Sequence, residues 1–111
     1  MVNHHPVPLD RVFAALSDPT RRALIERLEG AEDLSVSELA RPLPISLPAV
    51  MKHLDVLEGA GLIARRKTGR TVACRLTAAP MEDAMAWLAR YQRFWSESLD
   101  RLAAAVEAET P

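Results

Sequence analysis

The chain has 111 residues, of which 49% are hydrophobic and 26% charged, with a formal charge of −1 and one cysteine. This is the size of a single domain with one modest core. It excludes a multi-domain enzyme, a disulfide scaffold and, with no apolar run near the ~20 residues of a membrane helix, a transporter. The lone cysteine fits a reducing cytoplasm, and Met1-Val2-Asn3-His4-His5-Pro6 lacks the basic-then-apolar order of a secretory signal.

Residues 1–8 hold two prolines and two histidines and read as a loose arm. Leu9 to Leu16 predicts a short helix with Val12, Phe13 and Leu16 on one side. Asp18-Pro19 opens a second helix, a capping carboxylate followed by the proline that suits a first helical position. That helix runs through Ala23, Leu24 and Leu28 and stops at Gly30. Ser35 and Glu38 have capping-box spacing for a short third helix that ends before Pro42.

Pro42 and Pro44 bracket a tight turn, and Ser46 caps a fourth helix that ends near Gly59-Ala60-Gly61. Val50, Leu54 and Leu57 mark its inner face; Pro48, Met51, Lys52 and Asp55 fall opposite, with Ala49 at the edge. Leu62–Lys67 and Thr71–Leu76, joined through Thr68-Gly69-Arg70, predict a β-hairpin with a basic tip. Pro80 then opens a long last helix with Glu82 and Asp83 in its first turn. Along it Met81, Leu88, Trp95 and Leu102 are spaced by seven, as are Met85, Gln92, Leu99 and Val106. This is a coiled-coil-like seam, widened by Trp87, Tyr91 and Phe94. A helix apolar over so much of its girth must bury more than one side, the second against another copy of the chain. The expected organisation is an arm over 1–8, one domain over 9–106 and a tail over 107–111.

Charge is segregated. Residues 46–75 carry Lys52, Arg65, Arg66, Lys67, Arg70 and Arg75 against Asp55 and Glu58, a balance of +4. The remaining eight basic and thirteen acidic residues leave −5 elsewhere. A cationic face on a mildly acidic body is the electrostatic footprint of a nucleic-acid binder. The order helix, helix, short helix, turn, helix, hairpin, long helix is that of a winged helix-turn-helix, mainly α with a small β-hairpin. A helix fits the major groove, where base edges are distinguishable, and a basic hairpin tip suits phosphate.

The stretches Ala14-Ala15-Leu16-Ser17-Asp18-Pro19-Thr20-Arg21-Arg22, Ser37-Glu38-Leu39-Ala40, Pro48-Ala49-Val50-Met51-Lys52-His53-Leu54-Asp55-Val56-Leu57 and Ala60-Gly61-Leu62-Ile63 resemble the ArsR family of bacterial transcriptional regulators. The resemblance covers roughly residues 9–100. It implies a homodimeric repressor joined through its first and last helices, with a recognition helix at about Ser46–Glu58 and a wing at Leu62–Leu76. The expected DNA contacts are Ser46, Leu47, Pro48, Ala49, Met51, Lys52, His53, Arg65, Arg66, Lys67 and Arg70. The expected dimer interface is Val12, Leu16, Met85, Leu88, Tyr91, Gln92, Trp95, Leu99 and Leu102. The expected partners are an inverted-repeat operator duplex and a second copy of the chain, with no membrane, no cofactor, no metal and no identified inducer.

Departures from the family pattern sharpen this. Metal-sensing members carry two cysteines at the start of the third helix; the matching positions here are Ser35 and Ser37, poor ligands for soft metals. A second family site uses acids and histidines on the last helix, and residues 80–106 contain no histidine. Met51 stands where a small polar residue is usual in the family; it suits either a thymine methyl or an altered half-site. Two other readings are a metal- or redox-responsive repressor using Cys74 with His4 and His5, and a protein-interaction module built on the long helix. Cys74 alternates with Val72 and Leu76 and reads first as a core residue. Arg21 and Arg22, beside Asp18, suit either a phosphate contact or a local ion pair. No glycine-rich phosphate loop, HExxH or GxSxG is present, so no catalytic residue is expected.

Overall fold

The computed structural model describes residues 7–30, 33–77 and 79–109. The elements are α1 (Leu9–Leu16), α2 (Pro19–Glu29), β1 (Leu34–Ser35), α3 (Val36–Ala40), α4 (Leu47–Gly59), β2 (Ile63–Thr68), β3 (Thr71–Leu76) and α5 (Ala79–Glu109). His4, His5 and most of the arm lie outside the described residues. Helix α5 continues through 107–109, where the sequence predicts a tail.

The junction of α1 and α2 is built from side chains. The Asp18 carboxylate accepts the Arg21 backbone N–H at 3.0 Å and Pro19 occupies the first turn of α2. Arg21 and Arg22 reach back to α1: Arg21 donates from Nε to the Ala15 carbonyl at 2.7 Å and from Nη2 to the Ala14 carbonyl at 3.1 Å. Arg22 donates from Nη1 to the Leu16 carbonyl at 2.8 Å. The last carbonyls of a helix lack intrahelical partners. The two arginines supply them, a role that sequence reasoning did not foresee.

Helix α3 carries the full capping box: Ser35 Oγ accepts from the Glu38 N–H and Glu38 Oε1 accepts from the Ser35 N–H, both at 3.1 Å. Residues 34–35 also form a strand that the sequence did not reveal. Leu34 lies opposite Cys74 and Ser35 opposite Ala73, so the expected hairpin is part of a three-stranded antiparallel sheet in the order β1-β3-β2. Thr68 pairs with Thr71, leaving Gly69-Arg70 as the loop. Only Gly69 there has a positive φ, +61°, which suits a two-residue turn with glycine first.

The core gathers Leu24 and Leu28 from α2, Leu39 from α3, Val50, Leu54 and Leu57 from α4, and Leu62 and Cys74 from the wing region, all essentially without exposure. Each such leucine contributes about 1.5–3 kcal/mol by leaving water. Val12 is also 0% exposed, so it holds α1 to this core and has no surface to offer another chain. This corrects its assignment to an outer interface. Between α4 and the wing, Gly61 sits at φ +74°, where an added Cβ would stand 3.1 Å from Pro80 Cγ. Only glycine makes that turn without strain.

Helix α5 buries little of itself. Pro80 and Ala84 meet the body, and the Trp87 ring lies 5.7 Å from Phe13 of α1 and 4.8 Å from Tyr91. Met85, Leu88, Tyr91, Trp95, Leu99, Leu102 and Val106 are exposed. At about 1.5 Å per residue the helix is roughly 46 Å long, well beyond the body it touches.

Candidate nucleic-acid interface

Helix α4 presents the face the periodicity predicted. Ser46 caps it, accepting the Ala49 N–H at 3.3 Å, with a proline in the first turn. Val50, Leu54 and Leu57 point inward, while Leu47, Pro48, Met51, Lys52 and Asp55 are exposed and Ala49 is half-buried. Val56 is exposed as well. The turn of the wing lies beside this helix: Leu47 and Met51 of α4 share an open groove of about 460 Å³ with Arg70 and Thr71 of the wing, with the α3 cap Ser35 and with Ser37 of α3. The helix face and the basic turn therefore open to one side of the molecule.

His53 is half-buried rather than outward. Its Nδ1 is 3.3 Å from Arg21 Nη1 and 3.9 Å from Asp18 Oδ2. A guanidinium only donates, so the shorter contact uses the Nδ1 lone pair and leaves the ring proton on Nε2. The capping N–H of Arg21 holds the Asp18 carboxyl below its ordinary value, and the nearby Arg21 charge acts in the same direction. Arg21 thus ties α1, α2 and α4 together at one point.

The wing cations divide by strand face. Arg65 lies opposite Cys74 and Lys67 opposite Val72 on the face turned toward the core, whereas Arg66 lies opposite Ala73 on the outer face. Arg65 donates from Nη2 to Asp55 Oδ1 at 2.6 Å and to Glu58 Oε1 at 2.8 Å. Its bond to Glu58, with Asp55 beside, holds the guanidinium protonated beyond its ordinary range, and the Arg65 guanidinium holds Glu58 below the usual carboxylate value. Arg75 pairs with Asp33 at 3.2 Å. Among the described residues, Lys52, Arg66, Lys67 and Arg70 make no ion pair. Among the described residues, two of the six cations in this stretch are committed to carboxylates and four make no ion pair.

The partners of Arg65 were missed by sequence reasoning. The available signal was Asp55 and Glu58, two acids in the C-terminal half of a helix, where the macrodipole disfavours negative charge and a cation is needed. The Ser35 hydroxyl is committed to the α3 cap. Cys74 is fully buried, and burial pushes its thiol pKa up. Among the described residues no cluster of three or more His, Cys, Asp or Glu side chains is placed to hold a metal ion.

A helix-turn-helix of α3 and α4, followed by a sheet whose basic turn flanks the second helix, defines a winged helix-turn-helix DNA-binding protein. A helix-turn-helix domain profile matches residues 16–66. The HTH-type transcriptional regulator Rv2034 of Mycobacterium tuberculosis is 40% identical over 100 residues, covering 90% of each chain. The transcriptional repressor SdpR of Bacillus subtilis is 30% identical over 83 residues, 75% of this chain and 91% of that protein. The crystal structure of the ArsR family transcriptional regulator RHA00566 superposes with a TM-score of 0.74 at 41% identity, covering 86% of this chain and 97% of the other. The chain belongs to the ArsR family and is a helix-turn-helix transcriptional regulator. No helix among the described residues is long and apolar enough to cross a membrane.

Proposed function

We propose that the protein is a cytoplasmic, sequence-specific repressor that binds an inverted-repeat operator as a homodimer. The observation that carries this reading is the pairing of an exposed, narrow α4 face with a wing turn on the same side, in a stretch where four cations make no ion pair among the described residues. Leu47, Pro48, Ala49 and Met51 face base edges, with Met51 suited to a thymine methyl. Ser46, Lys52, Arg66, Lys67 and Arg70 bind phosphate, and His53 donates from Nε2 to the backbone. The similarity to a named transcriptional repressor supports repression as the outcome.

Dimerisation through α1 and α5 uses Leu16, Met85, Leu88, Tyr91, Gln92, Trp95, Leu99 and Leu102; Met85, Leu88, Tyr91, Trp95, Leu99 and Leu102 are exposed in the single chain, as an interaction surface requires. Two recognition helices then enter successive major grooves about one helical turn apart. Selection of bound duplexes from a random-sequence pool tests the reading. The expected product is an inverted repeat with half-site centres about 10 bp apart. An unstructured pool with no recovered motif would overturn sequence-specific recognition, and a single unrepeated half-site would overturn the dimeric arrangement.

A further inference from the structure

Arg65 stands at the wing side of the recognition helix, at a position where a phosphate contact is the obvious assignment. Its surroundings point elsewhere. The side chain is only 16% exposed, against 64% for Asp55 and 41% for Glu58. One nitrogen serves both carboxylates, and the Arg65 backbone N–H adds a third bond, to Glu58 Oε2 at 3.2 Å. Glu58 thus grips both the backbone and the guanidinium of one β2 residue.

The covalent link between α4 and β2 is short, residues 60–62, and turns on Gly61. The Arg65 cluster is a second attachment between the two elements, placed between that link and the wing tip. It also neutralises Asp55, which otherwise puts a carboxylate on the side of α4 that faces DNA. A phosphate reaching for Arg65 has to displace two carboxylates already within 2.8 Å.

Resting on the reading of α4 and the wing as the DNA surface, we propose that Arg65 is a positioning residue: it fixes the wing against the C-terminal half of α4, so that Lys67 and Arg70 meet phosphate in register with the recognition helix, and it neutralises no phosphate itself. Direct contact and positioning leave different traces in salt. Each phosphate contact contributes about 0.9 to the slope of log affinity against log salt, so losing one per subunit flattens a dimer's slope by about 1.8.

The experiment is a fluorescence-anisotropy salt series on the selected duplex with the wild type, Arg65→Ala, Glu58→Gln and Lys67→Ala. Arg65→Ala is expected to weaken binding roughly tenfold, the scale of a lost charge-assisted network, because the loosened wing is ordered only on binding; Lys67 and Arg70 still reach phosphate, so its slope is unchanged. Lys67→Ala is expected to flatten the slope. Glu58→Gln is expected to weaken binding although it removes a negative charge from the neighbourhood of DNA. A slope flattened by Arg65→Ala, wild-type affinity in that variant, or tighter binding by Glu58→Gln would each overturn the proposal. Should Arg65→Ala fail to fold by circular dichroism, Arg65→Lys replaces it: lysine satisfies a phosphate but not the two-carboxylate grip, so retained affinity would refute the positioning role. A wild type without salt-dependent, sequence-specific binding would instead overturn the DNA reading on which the proposal rests.

Discussion

Replacing Trp95 and Leu99 by glutamate is expected to convert the protein to folded monomers. Trp95 is 63% exposed in the single chain and Leu99 58%. A tryptophan carries up to about 250 Å² to bury, so roughly 150 Å² of Trp95 awaits a partner, worth about 4 kcal/mol at ~25 cal/mol per Å². Leu99 adds about 1–2 kcal/mol on the same footing. For two chains the loss is about 10–12 kcal/mol, before counting four buried carboxylates. Association already costs 4 kcal/mol or more (to about 15) in lost freedom, so no micromolar dimer survives a loss of that size. Sedimentation velocity at micromolar concentration reads the outcome: one species near 12.3 kDa for the variant and one of about twice that mass for the wild type. Because both side chains are exposed in the single chain, the helical circular dichroism should persist. A variant that remains at twice the chain mass, or a monomeric wild type, would refute the seam.

Other consequences are as direct. Leu54 is 0% exposed on the inner face of α4, so Leu54→Ala should lower unfolding stability by about 2–5 kcal/mol in urea titration. A change under 1 kcal/mol would mean that α4 is not packed as described. Asp18, Glu38 and Glu58 are all held below their ordinary carboxylate values by native hydrogen bonds, so they bind protons more weakly folded than unfolded. Their stabilisation is complete above the unfolded values near ~4 and is lost as pH falls through the lower folded values, so melting temperature should hold from neutrality to about pH 5 and then drop. A melting temperature that rises on acidification below that range would contradict the sign. Cys74, buried and with its thiol pKa raised, should react with a thiol reagent far more slowly in the native protein than in urea. Equal rates would place it at the surface.

The helices were legible because each announces itself locally. Asp18-Pro19, the Ser35/Glu38 box and Ser46 are start signals whose partner groups lie within a turn, and Val50, Leu54 and Leu57 repeat at a helical period. What was not legible depends on groups distant in the chain. Strand β1 is two residues long, too short for any alternation, and exists because β3 has an edge to pair. Val12 reads as an interface residue in the sequence because a helix of eight residues shows its apolar side without showing what lies against it. Arg65 and Arg66 are indistinguishable as letters; strand parity sends one to Asp55 and Glu58 and the other to solvent. Arg21 was weighed as an ion pair or a phosphate contact, whereas three-dimensional proximity gives it two α1 carbonyls and the His53 ring.

The most direct measurement is a fluorescence-anisotropy titration of the protein against the DNA upstream of its own gene and a scrambled duplex, across a salt series. Lys52, Arg66, Lys67 and Arg70 make no ion pair among the described residues, so a dimer neutralises up to eight phosphates and the slope of log affinity against log salt should approach about −7. The account predicts that slope together with tight binding to the upstream duplex alone. Equal, weak binding to both duplexes would contradict it, leaving a basic patch without sequence recognition.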